Sequence, residues 1–151
     1  MSRLSVVAGL LLAPGLVATA APAQAAVITS ASAATYEAQV IYQINVQRVK
    51  YKRIKVAAAA CPDRYAESWA GHLATTGLFY HQTLTPILSG CTATRAAENL
   101  ARGYSTAAAT VAAWMASPGH RANVLDPAVN KIGVAAIYRG GRWIVAANFT
   151  R

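Results

Sequence analysis

The 151-residue sequence has none of the compact motifs that assign a chemistry by themselves. Neither G-x-x-x-x-G-K-S/T nor G-x-G-x-x-G occurs, which removes the common nucleotide-binding readings. The i, i+4 histidine pair of H-E-x-x-H is missing, and so is the G-x-S-x-G elbow that exposes a hydrolase serine. Cysteine is scarce: Cys61 and Cys91 are the whole complement, and neither stands in a C-x-x-C pair. There is no internal repeat. Charge is sparse at 13%, with 5 acidic residues against 14 Lys and Arg and a net of +9. Three Trp and seven Tyr beside so little charge reverse the signature of a disordered chain. Beyond residue 25, no apolar stretch free of charge reaches the ~20 residues that a membrane-spanning helix needs.

What is present begins with alanine, whose 35 copies account for much of the 55% hydrophobic fraction. The larger apolar side chains then amount to an ordinary globular share, in a length suited to one domain with its own core. Residues 1–25 read as a secretory signal peptide. Arg3 supplies the positive start, Leu4 to Val17 the apolar stretch and Ala23-Gln24-Ala25 a small-x-small cleavage site. Pro14 and Gly15 interrupt the run, which argues against an uncut anchor. Cleavage removes Arg3 and leaves an extracellular chain expected to be a soluble monomer. Export also makes a Cys61 to Cys91 disulfide the expected state, the alternative being two buried free thiols. By chain entropy, a loop of about 30 residues makes such a bridge worth roughly 3 to 4 kcal/mol.

Residues 26–34 read as a flexible leader and 35–151 as the folded domain. Thr35 is a candidate N-cap for a first helix, with Tyr36, Val40, Ile41 and Ile44 as its apolar stripe. Pro62 and Asp63 open a second helix whose buried face is expected to hold Tyr65, Ala66, Trp69, Ala70 and Leu73, with Gly77 as its stop. A looser region runs from Leu78 to Arg102. Thr106 to Ala116 forms a third helix ending at Ser117-Pro118-Gly119, and Pro118 opens a short turn of helix through Val124. The period then changes to two. Ile132, Val134, Ala136 and Tyr138 alternate, Gly140-Gly141 turns, and Trp143, Val145, Ala147 and Phe149 alternate on the return. Helices followed by an antiparallel hairpin predict an α+β fold.

His81, Glu98 and His120 are the polar residues able to carry chemistry. Two imidazoles and a carboxylate suffice for a zinc-type ion with an open position, or for a proton-transfer pair in which the carboxylate fixes a histidine tautomer. Separations of 17 and 22 residues do not force them together. Ser117, three residues before His120, opens a rival reading as a hydrolase nucleophile, against a plainer role as a helix cap. Trp69, Trp114 and Trp143 read as core, and His72 as simply exposed.

Longer stretches carry a resemblance that spacing does not. Glu98-Asn99-Leu100-Ala101, the run from Trp114 through Ser117-Pro118-Gly119-His120-Arg121-Ala122-Asn123 to Leu125, and Ile132-Gly133-Val134-Ala135 with the closing aromatic strand resemble the CAP superfamily. This family is also called the SCP or pathogenesis-related-1 domain, and the likeness is to its short bacterial form, from about Tyr36 to Phe149. It implies an α-β-α sandwich with a central antiparallel sheet, and a cleft in which His81, Glu98 and His120 hold a divalent cation such as zinc, with Ser117 and Asn99 beside them. It further implies a secreted binding module for a lipid or wall-derived ligand, or alternatively an extracellular, protease-like hydrolase using the same cleft. The family's G-E-N is Ala97-Glu98-Asn99 here, and its second cleft glutamate falls at Ser117, so one carboxylate and two imidazoles remain.

Arg48, Lys50, Lys52, Arg53 and Lys55 put five cations into eight residues, read as a solvated connection. Such a run attracts anionic lipid or cell-wall polymer. A secreted chain rarely meets nucleic acid, and none is expected as a partner.

Overall fold

Alanine decides how closely the layers meet. In the computed structural model, which describes residues 30–151, α2 (Ala60–Thr76) lays Ala66, Ala70, Leu73 and Ala74 against Leu100, Ala135, Ile144 and Ala146 of a sheet. The sheet is built from β1 (Ala57–Ala58), β2 (Ala96–Arg102), β3 (Lys131–Arg139) and β4 (Arg142–Thr150), in the order β1-β3-β4-β2. Its other face meets α1 (Ser30–Lys50), α4 (Ala107–Ala116) and α5 (Pro118–Val124). There Val40, Ile44, Val111, Trp114 and Val124 pack with Ile132, Val134, Val145 and Phe149. The short α3 (Thr85–Gly90) precedes β2. The fold is therefore α+β, an α-β-α sandwich as expected. The three long strands pair antiparallel, while β1 adds a two-residue parallel edge through Ala57 and Ala58.

Local signals account for most boundaries. Gly77 ends α2 in the left-handed conformation, φ 74°, with its N–H on Leu73 O. Thr106 Oγ1 caps α4 by accepting from Ala109 N. Gly140 and Gly141 both have positive φ, 59° and 78°, which a two-residue hairpin of the right twist demands. The Cys61–Cys91 disulfide is formed, with Cα atoms 5.6 Å apart, and fastens the first turn of α2 to the end of α3.

Several expectations need correction. The first helix begins at Ser30 rather than at Thr35, so residues 30–34 of the expected leader are helical and Thr35 is not its cap. Alanine-rich sequence without a breaker simply continues the helix upstream. The expected signal peptide and residues 26–29 lie outside the described residues. The loose region contains β2, whose five central residues are buried. On α2, Tyr65 and Trp69 are only half-buried. Trp69 stacks on His72 at 4.8 Å, and His72 Nε2 bonds the Tyr80 hydroxyl at 2.7 Å, so His72 is engaged rather than merely exposed.

The largest correction concerns Arg48, which is buried completely and does not belong to the solvated basic run. Its guanidinium donates to the carbonyl oxygens of Ile54 (2.7 Å), Val124 (2.8 Å), Asp126 (3.0 Å) and Val129 (3.1 Å). Two of these acceptors lie at the C-terminal end of α5, where carbonyls lack helical partners and a cation is favoured. Burial works against the charge, and the nearby Asp126 supports it.

Side chains cap part of each sheet edge. Past the two residues of β1, β3 would present bare N–H groups, but Val134 N donates to Asp63 Oδ1 (3.0 Å) and Ala136 N to Glu37 Oε1 (2.8 Å). On the opposite edge, the carbonyls of Glu98 and Leu100 in β2 accept from Asn123 Nδ2 (3.0 Å) and Trp114 Nε1 (2.9 Å). Glu37 carries a cost in this role. Burial first, with smaller repulsion from Asp63 and Glu67, raises its carboxyl pKa despite the Ala136 bond. A folded pKa above the unfolded one means that the folded state favours the protonated form, so this group's contribution declines as pH rises through that range. Glu37→Gln keeps an acceptor without the charge. It is expected to be at least as stable as wild type at pH 7, with its advantage vanishing below about pH 4, the lower end of the ordinary carboxyl range, as read by urea unfolding across pH. A variant less stable at pH 7 than at pH 4, relative to wild type, would contradict this.

Candidate functional site

β2 ends the separation between residues distant in sequence. It turns the Glu98 side chain, only 2% exposed, toward the connection between α2 and α3. There His81 Nδ1 lies 2.6 Å from Glu98 Oε1, Gln82 N donates to the same oxygen at 3.2 Å, and Gln82 Nε2 donates to Oε2 at 2.5 Å. Gln82 Nε2 also reaches Asn148 Oδ1 on β4 (3.1 Å), whose amide donates to Pro62 O (3.3 Å). The carboxylate is therefore held by three donors, and it fixes the His81 ring with Nδ1 turned inward.

α5 supplies the second imidazole. Asn99 Nδ2 donates to His120 O (3.0 Å), and Asn123 Nδ2 donates to Asn99 Oδ1 (2.9 Å), so two asparagines clamp α5 on β2. The His81 and His120 rings then lie 6.4 Å apart between centroids. Burial, and secondarily His81, lowers the His120 pKa, which keeps its imidazole neutral and its lone pair available. Beside them is an open pocket lined by His81, Gln82, Leu84, Arg95, Glu98 and Asn123, with Arg95 paired to Asp126.

The structure thus brings His81, Glu98, His120 and Asn99 together. Ser117 joins α4 to α5 through its main chain, its N–H on Trp114 O (3.2 Å) and its carbonyl accepting from Arg121 N (2.8 Å). Among the described residues no hydrogen bond links its hydroxyl to His120, and its main-chain bonds are those of a helix junction. Gln82, Asn123 and Asn148 were missed as site residues. Asn123 lies inside the motif run that carries His120, and that was the one available signal.

Fit to a metal can be judged from the donors. Imidazole suits zinc, and two rings bound through ~2.0 Å bonds to one ion have centroids about 5 to 6 Å apart, close to the spacing here. The Glu98 carboxylate is already committed to His81 and Gln82. Among the described residues no group of three or more His, Cys, Asp or Glu is placed to hold an ion. His81 and His120 therefore fit as ligands, and Glu98 fits as the group that orients one of them.

Over residues 42–149 the chain matches the Cysteine-rich secretory protein (CAP) family. The chain belongs to the CAP family. The Bacillus subtilis (strain 168) protein YkwD is 29% identical over 133 residues, which are 83% of this chain and 52% of that protein. This CAP chain thus spans about half the length of the curated relative. An extracellular protein containing an SCP domain from Bacillus anthracis str. Ames shares the fold at a TM-score of 0.72 and 22% identity, covering 80% of this chain and 41% of that one. An outer surface protein from Borrelia burgdorferi does so at 0.69 and 19%, covering 74% and 89%. No helix among the described residues of this CAP chain is long and apolar enough to cross a membrane.

Proposed function

We propose that the chain is an exported binding module whose cleft takes a divalent cation such as zinc between His81 and His120. The observation that carries this reading is the 2.6 Å contact from His81 Nδ1 to the buried Glu98 carboxylate, which leaves Nε2 as the free donor with His120 alongside. A carboxylate behind a ligating histidine fixes its tautomer and raises its basicity. With two protein ligands, water completes the shell, and an ion bound there offers open positions to an oxygen-rich wall or lipid-derived ligand. Export is supported by the signal-like residues 1–25, by the formed Cys61–Cys91 bridge and by relatives described as extracellular or outer surface proteins. Among the described residues no hydrogen bond pairs a serine hydroxyl with His81 or His120 as the hydrolase alternative would use.

Calorimetric titration with zinc tests the cleft. Wild type is expected to release heat saturating near one ion per chain, His81→Ala and His120→Ala to lose the signal, and Glu98→Gln to bind roughly 10-fold more weakly through loss of orientation. Equal heats in wild type and both histidine variants would end the metal reading.

A further inference from the structure

The C-terminal half of α1 exposes apolar side chains on the side away from the core. Tyr42, Val46 and Val49 recur at helical spacing and are all exposed, and the following segment adds Tyr51 and Ile54, the latter 65% exposed. Tyr42, Val46 and Val49 form one groove with Asn45 and Lys55. This segment is built rather than loose. Asn45 exchanges two hydrogen bonds with Val56, Nδ2 to O at 3.0 Å and N to Oδ1 at 2.8 Å, while Arg48 Nε holds Ile54 O. Those bonds present Ile54 and Lys55 outward on a fixed backbone.

Cations surround the apolar strip. Lys50, Lys52, Arg53 and Lys55 are exposed on the same stretch, and Arg121 from α5 lies 4.8 Å over the Tyr51 ring, with Lys50 Nζ at 5.9 Å from it. Among the described residues no side-chain carboxylate pairs with these cations. Glu37 and Asp63 serve β3, Glu98 is in the cleft, Asp126 pairs with Arg95, and Glu67 lies on α2 near enough to Glu37 to repel it.

We propose that this face docks on an anionic lipid bilayer, with Val46, Val49 and Ile54 entering the interface and Lys50, Lys52, Arg53, Lys55 and Arg121 engaging lipid phosphates. Charge complementarity names an anionic partner, and the apolar strip selects among anionic partners. A hydrophilic polyanion would leave five large apolar side chains in water, whereas a bilayer interface receives both kinds of group at once. A protein partner fits less well, since lysine is depleted in protein interfaces. Long lysine stems let the apolar residues sit deeper than the ammonium groups.

Co-sedimentation of the full chain with vesicles tests this, read as the excess bound to phosphatidylglycerol-containing vesicles over pure phosphatidylcholine ones. That difference cancels any contribution of residues 1–29 common to both. The excess is expected to fall at least 10-fold between 0.05 and 0.5 M NaCl. Replacing Lys50, Lys52, Arg53 and Lys55 together by Gln should abolish it. The pair Val46→Ser and Ile54→Ser should cut it several-fold while leaving retention on soluble polyphosphate unchanged. All these side chains are exposed, so unfolding midpoints should stay near wild type. An independent readout on wild type is broadening of the Val46 and Ile54 methyl resonances by spin-labelled lipid in the anionic vesicles. Absence of any anionic excess, an excess insensitive to the serine pair, or unbroadened methyls would overturn the proposal, the second outcome assigning the face to a soluble polyanion instead.

Discussion

Arg48→Met is expected to cost about 4 kcal/mol, because removing one side of a buried charged network typically costs 3 to 5 kcal/mol. The side chain alone satisfies carbonyls from the 51–56 segment, the end of α5 and the turn before β3. Methionine fills much of the volume but donates nothing, so four acceptors are left inside the protein. Against a total stability of roughly 5 to 15 kcal/mol, that loss lowers the melting temperature by about 12 to 20 °C. Arg48→Lys keeps the charge and three donors but not the planar fork, and should fall between the two. Denaturant unfolding of the three proteins decides the matter, and a methionine variant within about 1 kcal/mol of wild type would show that water or backbone movement replaces the guanidinium.

Gly133→Ala is the second large expectation. The start of α2 crosses β3 directly above Gly133, where a Cβ would overlap the backbone atoms of Asp63 and Pro62. Backbone cannot rotate out of the way as a side chain does, so the cost should reach the upper end of overpacking effects, about 3 kcal/mol. The damage spreads, because displacing Asp63 also breaks its bond to Val134 N. Gly119 provides the contrast: a Cβ there meets nothing within 4 Å, and its position in α5 favours alanine by about 0.5 to 1 kcal/mol. Equal unfolding midpoints for the two alanine variants would refute the crossing argument.

Legibility in the sequence followed the range of the interaction. The hairpin at Gly140-Gly141, the stop at Gly77 and the α4 to α5 junction at Ser117-Pro118 rest on neighbours within a few residues, and all were readable. β2 was not, since Ala96-Ala97-Glu98-Asn99-Leu100-Ala101-Arg102 is covered on both faces and shows no alternation to detect. Arg48 was misplaced for a related reason: within a run of cations nothing local marks the one whose partners come from residues 54, 124, 126 and 129. At the site, composition nominated His81, Glu98 and His120, and family resemblance grouped them. Glu98's role as orienter and the support from Gln82, Asn123 and Asn148 depend on long-range pairing that one-dimensional spacing does not encode.

The capped sheet margins bear on how this protein behaves in a crowd. An uncovered strand is a template on which another chain can polymerise, and here Asp63 and Glu37 occupy two N–H groups of β3 while Asn123 and Trp114 occupy two carbonyls of β2. Two of the sequence's five acids thus stand where an incoming strand would have to pair. Losing these two would bare the N–H groups of Val134 and Ala136, the kind of unpaired strand edge on which a second chain can pair.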